Sequence, residues 1–167
     1  FRPLVGGIVV GLMSLVSPQI LSSGHGAMHV YLGMHFGLAA IATIFAMKLI
    51  ASAVSLGSGF RGGLFFAALF LGTLLGMIFA QTIALLVPGS DIHVSVAAVV
   101  GMTSLAVGVV GGPLTMTFLA LESTRDLALT GVVLAAAIVS SLIVRTMFGY
   151  SFSTWRLHLR GETIRSA

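Results

Sequence analysis

Four long stretches of this chain carry no aspartate, glutamate, lysine or arginine: residues 3–47, 62–90, 92–121 and 127–144. Each can hold at least one apolar helix of roughly 20 residues, the length that crosses the hydrocarbon of a bilayer. A chain built this way cannot coat itself with polar surface. Only 7% of its 167 residues are charged and 57% are hydrophobic, whereas a soluble domain has about 25% charged residues. The lipid bilayer is therefore the expected solvent. Strands of a membrane barrel alternate apolar and polar residues over about ten positions. "IVVGLMSLV" and "AAVVGMTSLAVGVV" do not alternate, so helices are expected instead. The first run has no cationic leader ending in a small-residue cleavage site, and further apolar segments follow it. It is not read as a signal peptide.

The helices predicted along these runs are of uneven length. Residues 4–21 read as a first helix with Pro18 near its end, "SSGHGAMH" as a break, and 30–33 as a short helical extension. Residues 35–56 read as a span carrying Lys48, and 64–87 as another, closed by the turn "VPGSD". Ser90 or Asp91 is the expected N-cap of the next helix. The 30 uncharged residues 92–121 would run about 45 Å as one helix, against a hydrocarbon core of about 30 Å. Gly111-Gly112-Pro113 supplies a break, because proline disrupts the helix that precedes it. Residues 127–148 read as a long span and 151–160 as a short, polar-ended helix. The expected fold is an all-α polytopic membrane bundle with broken and half-length helices. Irregular backbone at membrane depth is tolerated only where protein buries it or it lines a cavity, and interrupted helices of this kind recur where transporters hold ions.

The segment "SLGSGFRGGLFFAALFLGTLLG", residues 55–76, places flexible backbone and a cation before an apolar helix. A helix starting near Gly63 and Leu64 leaves its first N–H groups without intrahelical partners. The aligned peptide dipoles add about half a positive charge there. Glycines at 57, 59, 62 and 63 allow tight folding and close backbone approach. In low dielectric such donors are costly unless something accepts from them, and an anion is a natural acceptor. From this loop alone the glycines equally suit a turn or helix packing.

In order along the chain, these segments resemble the CLC family of chloride channels and proton-coupled chloride transporters. "GSGFRGGLFFAALFLGTLLG" resembles the family's Gly-Ser-Gly, then Gly-Gly-x-Phe-x-Pro, then small-residue helix. "LVGGIVVGLMSLVSPQILSSGHG" and "MKLIASAVSLGSG" resemble the helices before it. "AVVGMTSLAVGVVGGPLTMTFLALEST" resembles the segment running from Gly-Met through Pro-Leu-Thr to a glutamate, and "FSTWRLHLRG" the last, partly polar helix. The resemblance implies a homodimer with one anion pathway per subunit, each subunit made of two inverted-topology halves. Residues 1–167 match only the second half as a single transmembrane domain. The first half, with its gating-glutamate loop, is expected to be a missing partner region of the same protein.

Carried over position by position, the resemblance implies that the main-chain N–H groups of Leu64 and Phe65, next to Gly63, hold a chloride ion as bound substrate. Gly57, Ser58, Gly59, Arg61 and Gly62 form the loop beside its path. Ser153 stands where the family has a tyrosine whose hydroxyl touches the same ion, with Ser151 and Thr154 beside it. It keeps a hydroxyl and lacks a ring, which implies a wider intracellular constriction and a looser hold. Ala67 stands where the motif has proline, a residue that presets the first helical turn. Arg61 is unusual in this loop; it either raises local anion concentration or snorkels to the interface.

No enzyme is expected. There is no cysteine, and no Ser-His-Asp, paired-carboxylate or Walker-type arrangement presents itself. No cofactor or metal is expected either: His25, His29 and His35 read as loop or interfacial residues. Lys48 within a span is either functional or snorkelling near a helix end. Glu122, Arg125 and Asp126, where the Pro113 helix ends, read as a structural ion pair at a helix boundary rather than as catalytic carboxylates. The net charge of +4 draws on Arg156, Arg160 and Arg165, which read as a topology signal for a cytoplasmic C-terminus rather than a nucleic-acid site. The alternative to chloride transport is a non-conducting membrane scaffold or assembly module derived from an anion channel.

Overall fold

A computed structural model of the chain describes residues 2–16, 37–59, 64–90, 92–149 and 151–158. The histidines at 25, 29 and 35, the break and short extension expected between the first two spans, and Asp91 lie outside these residues. The described backbone forms seven α-helices and no strand: α1 (Arg2–Val16), α2 (Leu38–Gly57), α3 (Leu64–Leu86), α4 (Val94–Val110), α5 (Pro113–Thr124), α6 (Leu127–Phe148) and α7 (Phe152–His158). Three apolar helical segments are long enough to cross a membrane: α2, α3 and the stretch that opens with α6 at Leu127. Large apolar side chains such as Phe79, Leu142 and Phe118 stand exposed on the outside of the bundle, as lipid contact requires.

The break expected in the long uncharged run is present. Gly111 has φ +91° and Gly112 φ +68°, backbone that side-chain-bearing residues rarely adopt. Pro113 then opens α5 at its first position, where its missing N–H costs nothing. Helix α6 has the boundaries expected of it, 127–148. Its N-cap is Asp126, which accepts from the N–H groups of Ala128 at 2.9 Å and Leu129 at 3.1 Å.

Two expectations at helix ends are corrected. The N-cap of α4 is His93, in extended backbone and with no side-chain cap; the Ser90 hydroxyl donates instead to the Val87 carbonyl at 2.9 Å. No ion pair joins Arg125 to Glu122 or Asp126 among the described residues. Arg125 takes a left-handed conformation (φ 55°) that ends α5, and its N–H bonds the Leu121 carbonyl at 2.7 Å. Asp126 serves α6 as its cap. The acidic–basic cluster is thus a helix-to-helix joint.

Helix α3 is central: ten of its 23 residues are buried. It packs against α4 through glycines. A methyl group on Gly72 would lie 2.5 Å from the Gly101 carbonyl oxygen and 2.8 Å from the Met102 Cα, and one on Gly76 would strike the Ala97 carbonyl. Small residues of this kind let helix backbones touch where lipid offers no hydrophobic drive to join them. Around this seam Phe70, Leu74, Met77 and Ala98 form one buried cluster with Ile41 of α2. Val99, Met102, Ala106, Val107, Met116 and Val133 belong to a second cluster that joins α4, α5 and α6. The buried Thr73, Thr103 and Thr117 hydroxyls donate to carbonyls one turn back, at 2.9, 3.0 and 2.8 Å, so no buried donor is stranded.

Helix directions follow from these contacts. Gly76 faces Ala97 and Ala98 while Gly72 faces Gly101 and Met102, so α3 and α4 are antiparallel. The Ser140 hydroxyl donates to the Ser104 carbonyl at 2.7 Å, and Val144 stands beside Gly108, so α4 and α6 are parallel. The start of α3, the end of α4, the start of α5 and the end of α6 therefore share one end of the bundle.

Candidate functional site

Helix α3 begins at Leu64, which puts Leu64 and Phe65 in its first turn, where the sequence places them. Their carbonyl partners four residues back would fall at 60 and 61, outside the described residues, and no acceptor for either N–H is found among the described residues. No acidic residue stands in this first turn. The start of α3 thus carries the positive end of its dipole, with no acidic side chain from its own first turn against it.

The antiparallel register carries this turn to the α4–α5 break. Each step of four along α3 is matched by four along α4, so Leu64 lies level with the last turn of α4. Phe65 is half-buried and packs against the cluster that holds Met102, Val107 and Met116. Its ring meets that of Phe66 edge-on at 5.1 Å.

The last carbonyls of a helix have no intrahelical donor. At the end of α4 the Val110 carbonyl is met by hydroxyls from the start of α7. Ser153 donates to it at 3.2 Å and Ser151 at 3.4 Å. The Ser151 Oγ lies 2.9 Å from Thr154 Oγ1 and 3.3 Å from Ser153 Oγ. The structure thus places two hydroxyls on one carbonyl, with Thr154 behind Ser151, at the same end of the bundle as Leu64 and Phe65. No direct contact between Ser153 and Leu64 or Phe65 is found among the described residues.

Of the loop residues singled out in the sequence, Gly57 is the last residue of α2 rather than part of a turn. Ser58 caps that helix, its N–H bonding the Val54 carbonyl at 2.9 Å, and Gly59 follows with φ +86°. Arg61, Gly62 and Gly63 lie outside the described residues. Lys48 stands mid-way along α2, buried, with its ammonium 5.8 Å from the Phe70 ring centroid. That position excludes snorkelling from a helix end and gives the cation an aromatic face.

Two participants escaped the sequence reading. The Val110 carbonyl is a backbone atom; its only signal was the helix-ending Gly-Gly-Pro that follows it. Arg145 lines a cavity of about 390 Å³ with Ser141, Ser151 and Thr154 beside the α4–α5 break. Its signal was a single cation closing a long apolar run. The described residues contain no cluster of three or more metal-ligating side chains.

Residues 1–145 match the family model described as voltage gated chloride channel. The chain is 33% identical over 143 residues to the voltage-gated ClC-type chloride channel ClcB of Citrobacter koseri, an alignment that covers 86% of this chain and 34% of that protein. It is 32% identical over 154 residues to the ClcB of Escherichia coli O81, covering 92% of this chain and 36% of that one. The chain thus spans about a third of the length of these curated relatives.

Proposed function

The chain belongs to the voltage-gated chloride channel family, and from that premise we propose that it forms the second inverted half of a membrane protein that moves chloride, with the ion held by the main-chain N–H groups of Leu64 and Phe65. The observation that supports the reading is that the first turn of α3, the α4–α5 break and the hydroxyls of Ser151, Ser153 and Thr154 lie at one end of the bundle. Backbone donors suit a permeating ion. They replace its hydration without a full opposing charge, so the ion binds and still leaves. The Ser153 hydroxyl is held by the Val110 carbonyl at 3.2 Å, long for an O–H···O bond. Its one O–H donor turns readily from that carbonyl to hydrogen-bond an arriving anion, keeping its proton. Gly63 and the loop of Ser58, Gly59, Arg61 and Gly62 flank the ion's route. The working unit is a homodimer of two-half subunits in a lipid bilayer, with the basic C-terminal end on the cytoplasmic side.

The test is anion efflux from liposomes holding the full-length protein that carries this chain. Chloride efflux well above potassium efflux is expected. Leu64→Pro removes one donor at a helix position that accepts proline, whereas Leu64→Ala keeps the donor and trims the side chain. Loss of a hydrogen bond to a charged ligand is worth about 1.5–3 kcal/mol, so the proline variant is expected to bind chloride at least tenfold more weakly and the alanine variant almost normally. Equal fluxes of chloride and potassium, or equal behaviour of the two variants, would overturn the proposal.

A further inference from the structure

Two cavities meet at the end of α6, and one side chain separates them. The first, about 390 Å³, has a mixed lining in which Ser141, Arg145, Ser151 and Thr154 stand beside Val107 and Val110. The second, about 420 Å³, is almost wholly apolar and is lined by Leu105, Val109, Phe148, Phe152 and Trp155 among others. Val144 lines both. On α6 the residues at 141, 144, 145 and 148 recur at three- and four-residue steps, so they share one face.

From this juxtaposition we infer that the paired cavities bind one anionic phospholipid. Its phosphate sits at Arg145 and Ser141, clear of the Ser153 hydroxyl given above to the chloride route, and one acyl chain lies in the groove walled by Phe148, Phe152 and Trp155. The electrostatics favour an anion. Arg145 is solvent-accessible in the last turn of α6, and no carboxylate pairs with it among the described residues. Asp126 caps the opposite end of the same helix. A guanidinium offers a planar fork of donors that matches phosphate. The depth fits as well: 22 residues span about 33 Å, so an α6 whose capped start meets water at one face ends near the other. Trp155, Phe148 and Phe152 supply the aromatic level at which lipid headgroups meet acyl chains. A soluble anion satisfies only the first cavity, and an apolar partner only the second. A phospholipid matches both at once.

The experiment is native mass spectrometry of the full-length protein, released from micelles supplied with dioleoyl phosphatidylglycerol, dioleoyl phosphatidylcholine or inorganic phosphate. Retention of phosphatidylglycerol over phosphatidylcholine by about five- to tenfold is expected, as for one arginine beside an anionic headgroup. Arg145→Gln is expected to abolish that preference, and Arg145→Lys to keep part of it. Phe152→Ala is expected to weaken both lipids alike. Thermal melting in phosphatidylcholine alone confirms that each variant is folded. Equal retention of the two lipids by the wild type, or an unchanged preference in Arg145→Gln, overturns the inference. So does full competition by inorganic phosphate, which would make the site a simple anion pocket. Loss of bound lipid as protein concentration drives subunits together would assign the groove to a second copy.

Discussion

Replacing Gly72 by alanine tests the seam on which the bundle is built. The new methyl carbon would stand 2.5 Å from the Gly101 carbonyl oxygen, 2.8 Å from the Met102 Cα and 3.0 Å from the Gly101 carbonyl carbon. All three are backbone atoms, so no side chain can turn aside. Carbon–oxygen contacts settle at about 3.3–3.6 Å, so α3 and α4 must part locally by about 0.8–1.1 Å. A gap of that size forfeits about a quarter to a half of each contact's attraction, and a few tens of contacts at about 0.1–0.2 kcal/mol each then lose about 1–3 kcal/mol. Alanine's better helix propensity returns about 0.5–1 kcal/mol. The net expectation is a loss centred on about 1 kcal/mol and reaching at most about 2.5 kcal/mol, a shift of about fivefold toward the unfolded form at the centre of that range. The assay is an SDS titration of the purified full-length protein, comparing midpoints with Gly131→Ala. Gly131 lies in α6 and a methyl there meets nothing within 4 Å, so its replacement is expected to be neutral or mildly stabilising. Gly101→Ala should behave like Gly72→Ala, and the double variant should cost less than the sum, because one parting relieves both. If Gly72→Ala is as stable as Gly131→Ala, the close-packed seam is not where the structure puts it.

Two further outcomes are expected in the same titration. Asp126→Ala removes the cap from α6 and is expected to cost about 1 kcal/mol, whereas Glu122→Gln, which breaks no ion pair among the described residues, should leave the midpoint within error; equal losses would restore the ion-pair reading of this joint. Gly111→Ala forces a side chain into φ +91° and is expected to cost about 1–3 kcal/mol, read as a lowered midpoint with helix content by circular dichroism unchanged.

Much of the fold was legible before any coordinates. Uncharged runs longer than a bilayer is thick fixed the solvent and the class. Gly-Gly-Pro fixed the break between α4 and α5, because those residues forbid or permit particular backbone angles regardless of what surrounds them. The start of α6 followed from the charged pair Arg125 and Asp126 before it, its end from Gly149, and the start of α3 at Leu64 from the glycines before it. The candidate site was legible only in outline. Serines at 151 and 153 were visible, but not the carbonyl they serve, since Val110 announces nothing through its side chain.

What the chain alone determined is everything set by local chemistry against the solvent: which segments leave water, where the backbone must bend, and where a helix starts. What only the tertiary structure decided is which faces meet. Helix α3 is apolar all round, and in a membrane no polar stripe need mark the outward side, so hydropathy cannot say that Gly72, Gly76 and Gly101 form the seam among 21 glycines. Nor could it place the Ser151 and Ser153 hydroxyls on the Val110 carbonyl, some forty residues back, since that choice rests on a distance between atoms far apart along the chain.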